Sequence, residues 1–142
     1  MCNNKIKILV ISMLLSSIFS IGVTEGKDSG TVKFLSFHAH KYQDFEIGSV
    51  VCEVFGEMEN LEQKEIKAVR VEVDLLDEKN KVVYSEELQL QPRVIVFGNP
   101  GGIERSLKPS EIGIFSHKIK ECPKEWLEGK IKYRFLEGIT GE

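Results

Sequence analysis

The residues best placed to do chemistry lie in the stretch FHAHKYQDFE, where His38 and His40 stand two positions apart. In an extended strand, side chains with that spacing leave the same face about 6.5–7 Å apart. Two imidazole nitrogens would then lie within reach of one Zn²⁺ or Cu²⁺ ion, with a third ligand to come from Asp44, Glu46, His117 or a cysteine. Two ligands without a fixed third make a weak site, so the plainer expectation is a solvated pair at a strand end. Glu53, Glu57 and Glu59 form an acidic row on one strand face. Calcium wants about six to eight oxygens in a shaped loop, which a flat strand does not supply. Arg70 or nearby lysines are expected to balance the row across a strand pair.

The remaining chemistry is thin. Asp44, Glu46, Asp74 and Asp77 show no spacing that selects an acid/base pair, and a single tryptophan, Trp126, offers little for a sugar-stacking cleft. G-x-S-x-G, H-E-x-x-H, C-x-x-C and G-x-x-x-x-G-K-[ST] are all missing from the sequence. Residues 98–102 read GNPGG, without the lysine and helix that a phosphate loop needs. These observations lead us to expect neither an enzyme nor a cofactor. The best candidate contact surface is the apolar run Val94, Ile95, Val96 and Phe97 beside that glycine-rich loop. Fully buried, it is one more core strand. At a sheet edge, it would offer unpaired backbone groups and apolar side chains to a partner.

The elements that must position these residues follow from the chain as a whole. It has 142 residues and a net charge of −3, enough for one domain and not two. Residues 1–22 read as a signal peptide: Lys5 and Lys7 precede a charge-free run from Ile8 to Val23, and small residues follow. Ser20 and Gly22 suit cleavage after Gly22, and a second option lies after Gly26. The run is short of the roughly 20 residues of a membrane helix, and an uncleaved amino-terminal anchor is the alternative. Removing residues 1–22 takes away two lysines and no acids, so the net charge moves to −5. That acidity excludes the electrostatic footprint of a nucleic-acid binder. The expected location is extracytoplasmic: secreted, periplasmic or associated with the cell surface. Export leaves Cys52 and Cys122, which could pair in an oxidising compartment, although a buried free thiol is also common in an apolar strand.

Beyond a linker over 23–30, residues 31–142 have a hydrophobic period of two. In AVRVEVDLLDE, Val69, Val71, Val73 and Leu75 alternate with charged residues, which predicts a strand with one dry and one wet face. SVVCEVFGEMEN is a second strand, and DEKNK is a turn leading to a return strand over Val82–Leu90. Further strands are expected over Thr31–Phe37, Arg93–Phe97, Gly113–Lys120 and Lys130–Leu136, a long loop over Gly98–Pro109, and one helical turn over Pro123–Gly129. About seven antiparallel strands with turns between them predict an all-β sandwich, with Trp126 plugging one end. The expected core is Val50, Cys52, Val54, Met58, Val69, Val71, Val73, Leu75, Phe115, Ile119 and Phe135.

The order GEMENLEQKEIKAVRVEVDLLDEKNKVV, then LKPSEIGIFSHKI, then ECPKEW resembles the FxLYD-type domain, a small immunoglobulin-like sandwich of exported prokaryotic proteins. The resemblance covers roughly residues 47 to 136. Gly56, Met58 and Asn60 stand for the family's G-x-V-x-N, Val73 to Asp77 for the name motif, and Leu107 to Phe115 for L-x-P-G-E and the phenylalanine strand. Val73 replaces a phenylalanine, Leu76 a tyrosine, Asn80 the usual turn glycine, and Ser110 the glycine of P-G-E. The resemblance implies an extracytoplasmic, non-enzymatic module and transfers no catalytic residue. The expected function is structural or protein-binding, with another extracytoplasmic protein as partner and membrane contact only through an uncleaved amino-terminal segment. The alternative is a periplasmic metal-handling protein using His38 and His40.

Overall fold

Alternating Val and Leu positions bury one face of a strand only if a second sheet covers it, and here two sheets cover each other. The computed structural model describes residues 25–27 and 30–141; the export segment lies outside the described residues. Nine strands follow in order: β1 (Glu25–Lys27), β2 (Val32–Asp44), β3 (Ser49–Asn60), β4 (Ile66–Leu76), β5 (Val82–Leu90), β6 (Arg93–Val96), β7 (Asn99–Glu104), β8 (Ile112–Ile119) and β9 (Ile131–Thr140). One sheet has the order β2-β3-β8-β6-β7 and is antiparallel throughout. The other pairs β9, β4 and β5 antiparallel and adds β1 parallel to β9. The chain passes between sheets at Gln91–Pro92, where β5 ends in one and β6 begins in the other.

The dry faces meet as the period of two requires. Val69, Val71, Val73 and Leu75 of β4 are buried against Cys52, Val54 and Met58 of β3 and Phe115 of β8. Phe37 stacks on Tyr133 with ring centroids 4.2 Å apart, and Phe34 meets Phe37 edge-on at 5.2 Å. Trp126 closes one end of the sandwich; it is buried, and its indole Nε1 donates to the Lys130 carbonyl at 3.0 Å. Asn60 ties down the other end. Its buried amide donates to the Lys64 and Leu107 carbonyls, and its Oδ1 accepts from the Glu62 N–H. A Cβ at Gly56 would run into the Ser36 carbonyl, where β2 bulges between Phe34 and Ser36.

Several expectations change. Val50 has the inward parity of Cys52 but is 54% exposed, too near the β2–β3 turn to be covered. Phe135 is only half-buried and packs on the rim of the core. The loop expected over Gly98–Pro109 contains β7, whose sequence NPGGIE has no alternating apolar pattern and is strand only because β6 pairs with it. The expected linker contributes β1. Pro123–Gly129 forms two successive turns in place of a helical turn, closed by Trp126 N–H to Pro123 O and Lys130 N–H to Leu127 O. Arg70 does not balance the acidic row of β3. It lies on the other sheet and bridges Glu87 and Glu137, both at 2.8 Å.

Cys52 and Cys122 form a disulfide, with Cα atoms 5.4 Å apart, which ties β3 to the segment after β8. Among the described residues two non-glycines have positive φ, Asn80 at 65° and Ser110 at 66°. Glycine is the residue that adopts this conformation without steric cost.

Candidate binding groove on the outer face of the five-stranded sheet

Because β3 pairs with both β2 and β8, register alone sorts the wet face into rows. Glu57 lies between Ser36 and Ile114, Phe55 between His38 and Ser116, and Glu53 between His40 and Lys118. Arg93 of β6 extends the first row beyond Ile114. The β6–β7 hairpin forms one wall above these rows, and a groove of about 830 Å³ runs beneath it, bordered by Arg93 and Gly101. The wall is held by the Arg93 guanidinium, which donates to the Gly101 carbonyl at 2.8 Å and the Gly102 carbonyl at 3.1 Å.

The floor is aromatic. Phe55 lies 4.7 Å from the His40 ring and 5.5 Å from the His38 ring, both tilted, and His40 meets Tyr42 edge-on. Tyr42 donates its hydroxyl to Glu53 at 3.2 Å, and His40 Nε2 lies 3.9 Å from the same carboxylate. Partial burial, followed by the neighbouring Glu53 charge, pushes the Tyr42 phenol above its ordinary pKa.

His38 and His40 therefore share a face, but the third ligand does not join them. His117 pairs with Val54, whose side chain faces the core, so its imidazole leaves the opposite face of the sheet. Asp44 caps the turn to β3 by accepting from the Glu46 and Ile47 N–H groups. Both remaining cysteines are spent on each other. No group of three or more His, Cys, Asp or Glu side chains arranged to hold a metal occurs among the described residues.

The Val94–Phe97 run is not a buried core strand: it pairs with β7 on one side, and on the other β6 meets β8 only at Arg93↔Ile114. β6 lies between β8 and β7 in the sheet order, so β7 is the outer strand, while Val94–Val96 have no partner on β8 among the described residues. Val94 is buried, Ile95 is 56% exposed, Val96 is half-buried, and Phe97 stands fully in solvent at the hairpin tip beside Gly98. Both edges of this sheet carry features that oppose strand addition. β7 includes Pro100, and on β2 the Lys41 N–H is taken by the Glu128 carboxylate beyond a bulge. Accessible contact area is therefore on the face and the hairpin. Sequence reasoning missed Phe55 and Arg93 as groove residues. The available signal was an aromatic between two glutamates on the wet face of an alternating strand, which an ordinary solvated face does not need.

No protein family, curated protein or solved structure matches this chain. The Cys52–Cys122 disulfide fits an oxidising, extracytoplasmic compartment, where such bonds persist.

Proposed function

We propose that this chain is a non-catalytic, exported protein-binding module whose contact surface is the outer face of the five-stranded sheet with its β6–β7 hairpin. The observation that carries this reading is apolar surface left in water beside a groove. Ile95 and Phe97 project from the hairpin that walls a groove floored by Phe55. Clustered exposed apolar side chains rimmed by polar ones are a usual mark of an interaction site. Domain identity with the FxLYD-type group is part of the proposal. It is supported by Asn80 and Ser110, whose left-handed backbone occupies the two glycine positions of that pattern.

Export by the amino-terminal signal is supported by the disulfide. Cleavage after Gly22 leaves β1 on the mature chain, whereas cleavage after Gly26 would remove Glu25 and Gly26 from it. We therefore assign the cut to Gly22, which an intact mass of the exported protein checks directly.

The test of the function is site-specific photo-cross-linking in the native envelope. A photoreactive residue replaces Phe97 in one strain and Glu87 on the opposite sheet in another. A discrete cross-linked species from position 97 and not from position 87 is expected. The same pattern from both positions, or none from position 97, overturns the reading.

A further inference from the structure

Resting on the reading of the groove as a docking face, we propose that its occupant is an extended, positively charged segment of a partner protein. One lysine or arginine side chain of that segment lies over Phe55, between Glu53 and Glu57. Residues 53, 55 and 57 alternate outward on β3, which places each carboxylate about 7 Å along the strand from the ring position. A cation over an aromatic face is attracted by the ring quadrupole, and carboxylates on both sides add Coulomb attraction. His38 and His40 brace the ring from β2, so it forms a fixed platform.

The charges already present leave this position open. Lys118 is opposite Glu53 in register but approaches Asp44, at 3.9 Å. Arg93, the cation of the groove wall, donates to the Gly101 and Gly102 carbonyls. Glu53 accepts from Tyr42, a neutral donor, and has His40 Nε2 3.9 Å away. Glu57 has its backbone N–H on Ser36, while its exposed carboxylate has no partner among the described residues. Beside the imidazoles of His38 and His40, the groove lining thus carries two carboxylates against one guanidinium that faces its own hairpin. A groove of about 830 Å³ exceeds what one ammonium group fills, and its lining, drawn from β2, β3, β6, β7 and β8, suits a chain segment. Pro100 on β7 and the bulge on β2 oppose strand addition at the edges, which favours a segment lying across the face.

The experiment uses the mature protein, isotope-labelled, titrated with two acetylated peptides of equal length. In one peptide valine alternates with lysine, and in the other valine alternates with glutamate. The lysine peptide is expected to move the amide resonances of Phe55, His38 and Ile114, less so at high salt, and the glutamate peptide to leave them unmoved. The E53Q/E57Q variant should bind the lysine peptide about tenfold more weakly or worse. Glu57→Gln alone, at an exposed and unpartnered carboxylate, should show a smaller loss in the same direction and guards against misfolding of the double variant. Equal binding of both peptides, unchanged affinity of the variants, or no movement of the groove resonances overturns the proposal. The cross-link from position 97 is read independently. If it persists, only the charge preference falls; if it is lost as well, the docking face falls too.

Discussion

Reducing the Cys52–Cys122 bond should lower the melting temperature by between about 8 and 17 °C. The two cysteines are 70 positions apart in sequence. Closing a loop of that length removes enough entropy from the unfolded chain to stabilise the fold by about 4 kcal/mol at 25 °C, with about 2 kcal/mol at the low end of typical bonds. An ordered domain of roughly 110 residues unfolds with an entropy near 0.23 kcal/mol/K, so each kcal/mol moves the midpoint by about 4 °C. The assay is thermal unfolding by circular dichroism, with and without a phosphine reductant. The C52A/C122A variant serves as a second arm, and reductant should not move its midpoint. That variant should melt slightly below the reduced wild type, because buried Cys52 also loses its packing sulfur. Intact mass must first show the oxidised protein lighter by two hydrogens. With the bond verified in this way, a drop of less than about 5 °C would refute the loop-closure reasoning.

Three further outcomes follow from the fold. Ser110→Gly should raise stability by about 0.5–1 kcal/mol, because it removes a Cβ from a left-handed position, and Asn80→Gly should gain less, since asparagine tolerates that conformation; denaturant midpoints measure both. Ile95→Asp should leave the melting temperature within about 2 °C of wild type, whereas Val94→Asp, which puts a charge into the core, should abolish cooperative unfolding. The hydrogen-bonded Arg105 guanidinium holds the Glu111 carboxyl below its ordinary value of 4.5. A depressed folded pKa contributes stability that is present above the unfolded value and lost as the pH falls through the folded one. Glu111→Gln should therefore flatten the loss of stability below about pH 4.5, measured by urea midpoints across pH 3–6, and a parallel acid limb would refute the assignment.

The alternation of β4 was legible because over Val69–Leu75 each outward residue is charged and each inward one is Val or Leu, so only one register hides the apolar set. The bounds Ser49–Asn60 were legible from the amphipathic second half of that strand, and Val82–Leu90 from the DEKNK turn before it. β7 was not, because a strand of Asn, Pro and Gly is made by its neighbour and carries no period of its own. The same limit applied to the groove. His38 and His40 could be placed on one face from spacing, yet the partner of that face depended on register. Register put Phe55 and Glu53 beside them and turned His117 to the other side.

The sequence by itself determined the class of the fold and the burial of most core positions, since a period of two with one apolar phase has a single solution in water. It also determined the charge sign and the left-handed turn position at Asn80. Only the tertiary structure decided that Cys52 meets Cys122, that β6 is flanked by a seventh strand, and that Phe97 remains in solvent. Local pattern reports which side of a strand is dry. It carries no information about which distant strand lies alongside, and the groove is built from residues of β2, β3, β6, β7 and β8 that only strand pairing brings together.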